Sequence, residues 1–296
     1  AMIEGGGLGK FDPKEIGPSD IQKNNGVIDY VAEDEKEATI IAKKILSYFQ
    51  GDIKDWKADD QTQLSNIMPK DRRWSYPVRD IIKIISDIEE FTEIKPEYGK
   101  GIVTCFIRIE GKPFGLLAND SQHLGGAIDS EGADKASSFI EMCSEYGLPI
   151  ISLVDTPGFM VGPDSEKEGA VRRMSNLFKI GSKVKVPLTA IFLRKGYGLG
   201  AQAMVGGSLH EPVYTAAWPT GEFGAMGLEG AVKLGFKKEL EKIEDNSERE
   251  KLFNSLVEKL YDKGKAIEAA AHLEIDAVIN PSETRSVILK SQKAFV

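Results

Sequence analysis

Pro149-Ile-Ile-Ser-Leu-Val-Asp-Thr-Pro-Gly-Phe159 carries the first decision about this chain. Proline opens the stretch, the residues after it are almost all apolar, and a polar, glycine-containing turn closes it, so Ile150 to Val154 reads as a strand. A strand without polar alternation is buried on both faces, which points to a partly parallel sheet covered by helices. The neighbouring segments agree. Ala133, Ala136, Phe139, Ile140 and Cys143 recur at helical spacing and stop at Gly147. Val171, Met174, Leu177 and Phe178 repeat the pattern and stop at Gly181, and Pro187 then opens a second apolar strand, Leu188 to Leu193. A glycine-rich turn leads from there into Ala201 to Met204. Upstream, the apolar runs Gly101 to Ile109 and Pro113 to Ala118 flank Glu110-Gly111-Lys112 and read as a β-hairpin, preceded by a helix from Val78 to about Phe91. The β-β-α rhythm defines an α/β chain.

Further out the signals weaken. Residues 12 to 50 give turn signals at Pro13 and Pro18, a strand-like Gly26 to Ala32, and an amphipathic helix carrying Ala38, Ile41, Ile45, Leu46 and Phe49. Residues 51 to 77 are polar and punctuated by Pro69 and Pro77, the composition of an exposed linker wrapping a domain. Residues 237 to 263 form a strongly charged helical stretch whose one apolar stripe is Leu252, Leu256 and Leu260, a solvated helix face. Ile275 to Ile279 reads as a short strand, and Pro281 to Arg285 as the start of a capped helix. The resulting division is 1–50, a compact arm; 51–77, a linker; and 78–296, the main domain. The chain opens on a glycine cluster with no methionine at its head and is expected to be the interior of something longer, a piece of a protein or one part of a split subunit.

Composition narrows the function. The 296 residues hold 38 Lys plus Arg against 46 Asp plus Glu, a net charge of -8 that argues against nucleic acid as a partner. Only Cys105 and Cys143 are present, in apolar surroundings and without ligand spacing, so no metal site is expected. No run of about 18 apolar residues occurs, so no membrane insertion is expected and the chain reads as cytoplasmic. Glycine is the anomaly. Its 30 copies cluster, and clustered glycine marks backbone that must approach something closely.

Three mechanisms compete for those clusters. Asp155-Thr-Pro-Gly158 mimics the D-x-x-G of a GTPase, but no G-x-x-x-x-G-K-[ST] run precedes it to cradle phosphates. Gly196-Tyr-Gly-Leu-Gly-Ala201 loosely matches a dinucleotide turn, yet no acidic residue follows at the right place to hold a ribose. Hydrolase chemistry lacks a G-x-S-x-G, and His123, His210 and His272 read as turn or structural residues. The acid pairs Asp129 with Glu131 and Asp155 with Glu222 are as readily turn and cap residues as acid/base catalysts. Backbone chemistry is left: N–H groups of a glycine turn at a helix start form an anion or oxyanion site.

Taken together, Asn119 to Asp129, Pro149 to Phe159, Arg194-Lys-Gly-Tyr-Gly198, Ala217-Trp-Pro-Thr-Gly-Glu222, Met226-Gly-x-x-Gly-Ala231 and the closing Ile275 to Arg285 resemble the carboxyltransferase (beta-type) subunits of biotin-dependent acyl-CoA carboxylases and decarboxylases. The resemblance implies a crotonase-like (ClpP/crotonase) spiral of β-β-α units and, here, a single C-terminal carboxyltransferase lobe. Residues 1–50 then resemble the close of a mostly missing N-terminal lobe. It implies transfer of a carboxyl group between carboxybiotin and an acyl-CoA of acetyl- or propionyl-CoA carboxylase type. The alternatives are the alpha subunit of a methylmalonyl- or glutaconyl-CoA decarboxylase and a catalytically silent scaffold. The expected catalytic backbone is Gly198, Leu199, Gly200 and Ala201, with either Leu199 and Gly200 or Gly200 and Ala201 as the N–H pair, because Gly-Leu-Gly-Ala departs from the family's usual Gly-Gly-Ala. Expected around biotin are Gly125, Gly126, Thr156, Pro157, Gly158, Phe159, Tyr197, Ala225, Met226 and Gly227. The cofactor is biotin carried on a partner, with a coenzyme A thioester as substrate and acyl size tuned near Gln202 or Ala203. The expected partners are a biotin carboxyl carrier protein, a biotin carboxylase subunit, a first-lobe carboxyltransferase partner and further copies of the chain.

Overall fold

The computed structural model describes residues 2–293. Its strands are β1 (Phe91–Ile94), β2 (Ile102–Ile109), β3 (Lys112–Asn119), β4 (Ile150–Thr156), β5 (Leu188–Tyr197), β6 (Tyr214–Ala217), β7 (Glu222–Gly224) and β8 (Ala277–Val278). The principal helices are α1 (Glu35–Ser47), α2 (Val78–Ile85), α3 (Ser130–Glu145), α4 (Ala170–Gly181), α5 (Gly198–Met204), α6 (Leu228–Gly235), α7 (Lys237–Glu241), α8 (Asn246–Lys263), α9 (Ala266–Ala271) and α10 (Thr284–Lys293).

All strands join one sheet in the order β1-β2-β3-β4-β5-β6-β8, with β7 paired to β5. The hairpin pairs β1-β2-β3 are antiparallel, and every later pair is parallel. The apolar character of β4 follows from its place: it is buried along its whole length, between β3 and β5 and between two layers of helix. Ile150, Val154 and Phe192 pack with Ala136 and Phe139 of α3 and Leu177 of α4. Ile151, Leu153 and Ile191 pack on the other face with Ile82 of α2, Leu64 and Ile288 of α10. Alternate residues of a strand point to opposite faces, so one near-continuous apolar run serves both cores.

Four local expectations change. Gly26 to Ala32 forms turns and no strand; Val27, Tyr30 and Val31 are all exposed, so the alternation finds no neighbouring strand to pair with. The helix expected to reach Phe91 stops at Ile85, because Ser86 turns its hydroxyl back to the Ile82 carbonyl and Asp87 is captured by the N–H groups of Glu110 and Gly111. Phe91 instead begins β1. The charged stretch 237–263 divides into α7 and α8, the second opened by Asp245 accepting the Glu248 N–H at 2.8 Å. Finally β5 runs on to Tyr197, four residues beyond the expected Leu193.

The first fifty residues are tied to the main domain at α1. Tyr48 is fully buried, its ring 5.4 Å from Phe106, and Arg108 donates to the Ser47 carbonyl at 2.7 Å. Leu64 and Tyr76 of the following segment are buried in the second core.

One core position is out of keeping. Lys135 of α3 is 2% exposed, and its ammonium has no hydrogen-bond partner among the described residues. Burial pushes its pKa down from 10.5 to about 8, against the opposing pull of Glu93. Between those two pH values the unfolded chain holds a proton that the folded chain has released, so stability should rise with pH across that window. Lys135→Met should flatten the rise and add about 2 to 3 kcal/mol at pH 7, read by urea unfolding at several pH values. A variant as pH-dependent as the parent would contradict the burial of this charge.

Candidate active site

Parallel strands bring their C-terminal ends together at one edge of the sheet, and the site is built from what leaves them. β4 ends at Thr156 and runs into the turn 157–159; β5 ends at Tyr197 and runs into α5, with Thr156 paired to Gly196. The two turns touch. A methyl group on Gly200 would lie 2.7 Å from the Gly158 Cα, and Gly158 itself has φ +121°, a conformation that side chains resist. A third turn closes against them: Ile128 donates to the Gly158 carbonyl at 3.0 Å, and Met160 donates to the Ile128 carbonyl at 2.8 Å.

α5 begins at this junction. Gly198, Leu199 and Gly200 occupy the positions whose N–H groups have no acceptor inside a helix, and no side chain among the described residues caps them. They border a cleft of about 570 Å3 lined by Pro157, Gly158, Phe159, Gly198, Leu199, Gly200, Ala225, Met226 and Gly227, with Met160, Val171, Met174 and Phe178 making its wall apolar. The structure therefore brings nine of the expected residues around one space. Gly125, Gly126, Thr156, Tyr197 and Ala201 lie outside that lining. Gly126 packs its bare Cα against the Asp155 carbonyl, where a Cβ would sit 2.3 Å away, and Gly125 accepts from the Lys195 ammonium. The Thr156 hydroxyl, buried, accepts the Gly158 N–H at 3.1 Å. Tyr197 is buried behind the turn. Ala201 faces a second cavity, of about 510 Å3, on the other side of α5 with Gln202, Phe223 and His272.

Beneath the turns lies a charged layer that sequence reading missed. Asp155 is fully buried and accepts from Arg194 Nη2 at 2.9 Å and from the Lys195 N–H at 3.0 Å. Arg194 also donates to the Trp74 carbonyl at 2.7 Å and stacks over Tyr76, 4.9 Å from its ring centre. In place of one member of an acid pair, Asp155 is a partnered anion holding the two strand ends together. Asp129 caps α3 by accepting the Gly132 N–H at 2.7 Å, the cap role rather than an acid/base one. The signal for Arg194 lay in the sequence, as a cation following the apolar run Leu188 to Leu193, two residues before Gly196. Among the described residues no group of three or more His, Cys, Asp or Glu side chains is placed to hold a metal ion.

A mixed sheet between helix layers, with glycine turns at the strand ends opening on an apolar cleft, defines a crotonase-like α/β protein. The carboxyl transferase domain model matches residues 12–296, and the chain belongs to that family. It is similar to the methylmalonyl-CoA carboxyltransferase 12S subunit of Propionibacterium freudenreichii subsp. shermanii, 33% identical over 284 residues covering 92% of this chain and 53% of that one. Among solved structures, a single-chain, multi-domain long-chain acyl-CoA carboxylase superposes with a TM-score of 0.91 at 51% identity, covering 98% of this chain and 28% of that chain. The transcarboxylase 12S hexamer with methylmalonyl-CoA bound superposes at 0.87 and 30% identity, covering 99% of this chain and 58% of that one. The chain spans about half the length of the curated relatives it matches. The expected spiral fold holds. The acetyl- or propionyl-CoA type is not singled out, since the relatives include methylmalonyl-CoA and long-chain acyl-CoA enzymes.

Removing the Asp155 charge should leave Arg194 buried without a counter-ion. Asp155→Asn should cost about 3–5 kcal/mol in urea unfolding, and the joint change Asp155→Leu with Arg194→Met should recover most of it. A loss of less than about 1 kcal/mol for Asp155→Asn would contradict the pairing described.

Proposed function

We propose that this chain supplies the biotin-facing half of an acyl-CoA carboxyltransferase, with the amides of Leu199 and Gly200 as its oxyanion donors. The observation that carries the reading is the contact of Gly200 with Gly158, which leaves uncapped first-turn N–H groups at the edge of an apolar cleft. A biotin ring, apolar around one polar ureido carbonyl, fits that combination. Biotin carried on a partner supplies the transferable carboxyl group and an oxygen on which negative charge gathers.

The chain's own part is electrostatic. The donors are fixed before any ligand arrives, so no reorganisation accompanies charge development. Phe159, Phe178 and Met226 give the cleft an apolar lining, which lowers the local dielectric and strengthens each N–H contact. Ala201 is the weaker donor candidate, because its N–H falls where the Tyr197 carbonyl accepts the first internal bond of α5. The acyl-CoA half belongs to a first lobe, with residues 1–50 as its closing segment, 51–77 as a linker and 78–296 as the C-terminal domain. A biotin carboxyl carrier, a biotin carboxylase subunit and further copies of the chain complete the proposed assembly. Among the described residues no helix is long and apolar enough to cross a membrane; action in the cytoplasm is part of the proposal.

The test offers malonyl-, methylmalonyl- and glutaconyl-CoA with free biotin, with and without a first-lobe fragment, and follows decarboxylation and carboxybiotin. Turnover should require the first lobe, and the preferred thioester identifies the acyl class. Leu199→Pro, which removes an N–H where a helix tolerates proline, should lower kcat about 100- to 1,000-fold, while Leu199→Ala stays within a few-fold. No turnover in any combination, from a folded chain, would leave a silent scaffold as the function.

A further inference from the structure

Arg72, in the 51–77 segment, reaches across to three other elements. Its Nη2 lies 2.6 Å from Glu229 of α6, its Nη1 3.6 Å from Glu222 of β7, and its guanidinium 5.5 Å from the ring centre of Tyr261 in α8. Glu222 is 1% exposed, and neither of its carboxylate oxygens has a hydrogen-bond partner among the described residues. The same holds for the buried Tyr197 hydroxyl. These two groups belong to adjoining strand ends, where Lys195 pairs with Glu222 and Tyr197 with Gly224. Leaving a carboxylate and a hydroxyl both buried and unmatched is costly, and a hydroxyl that donates to the carboxylate, directly or through one water, relieves both.

Tyr197 is also the residue on which α5 starts. We propose that Arg72, Glu222 and Tyr197 form a buried clamp that fixes the start of α5 and so aims the amides of Gly198, Leu199 and Gly200 into the cleft. The proposal rests on the carboxyltransferase reading for its purpose, but its geometry does not. None of the three side chains lines the cleft, so these are positioning residues.

Arg72 is what makes the clamp possible. Burial pushes the Glu222 carboxyl up from its ordinary value and Arg72 draws it back. Tyr197 also favours the ionised carboxylate, Asp155 opposes it and Arg194 supports it, while Glu229 competes for Arg72. Lys195, beside Glu222 on β5, is held partly by Asp155. Take Arg72 away and burial pushes the Glu222 carboxyl further up, weakening the negative charge that draws in the Tyr197 hydroxyl. The raised Glu222 value also sets a direction with pH: acidification should protonate Glu222 and release the turn.

The test is amide hydrogen exchange on the full chain, read as protection factors for residues 201–204, whose amides are bonded within α5, so that the intrinsic pH dependence of exchange drops out. Arg72→Met should lower protection there about ten-fold, the scale of one charge-assisted hydrogen bond, with α3 unchanged. Arg72→Lys should recover part of it. Glu222→Gln should match Arg72→Met, and adding Arg72→Met to Glu222→Gln should change nothing more. In the parent, protection should fall on acidification; in Glu222→Gln it should be flat. Should Arg72→Met not fold, the Glu222→Gln and pH arms carry the same test. Unchanged protection in Glu222→Gln, or an equal loss from Arg72→Met in both backgrounds, would overturn the clamp. No biotin or thioester is used, so a failed transfer assay leaves this outcome untouched, and a failed clamp leaves the transfer reading standing.

Discussion

Asp155 and Arg194 stand on neighbouring parallel strands with almost no access to water, 2.9 Å apart, at the point where both strands give way to glycine turns. Either charge alone would be too costly to keep there. Together, with the Lys195 N–H on the carboxylate and the Trp74 carbonyl and Tyr76 ring on the guanidinium, both charges are partnered. The pair also fixes a distance. With β4 and β5 locked at their ends, the turns 157–159 and 198–200 lie in contact, and only residues without a Cβ fit between them. The polar segment ahead of α2 is held by the same charges, so it works as a strap across the strand ends.

From that contact follows the division of space around α5. On one side lies the apolar cleft with the uncapped amides, on the other a cavity reached by Gln202 and His272, and Gly198 and Ala225 border both. A short helix between two cavities can present backbone donors to one ligand while its first residues also face another. Where the two turns touch, at Gly158 and Gly200, a side chain would fill the gap.

The parts legible in the sequence were those with local causes. Ile150 to Val154 and the helical faces of α3 and α4 repeat their patterns over enough residues to be read directly, and glycine clustering marked the turns. What escaped was non-local. The end of α2 depends on Asp87 meeting the amides of Glu110 and Gly111, and Gly26 to Ala32 looked like a strand only because no sequence pattern tells whether a partner strand exists. Arg72 sits in a segment that reads as linker, and 157 residues separate it from Glu229. Tyr197 and Thr156 carry the family's motif yet lie behind the cleft, because a motif records which residues belong to a site without recording which of them face it.

The most direct measurement is a crystal structure of the chain soaked with biotin. The expected result is a ureido oxygen about 3 Å from the amide nitrogens of Leu199 and Gly200, with the rings against Phe159 and Met226. Biotin bound in the second cavity, or held by side chains with the α5 amides left free, would contradict the assignment of these turns.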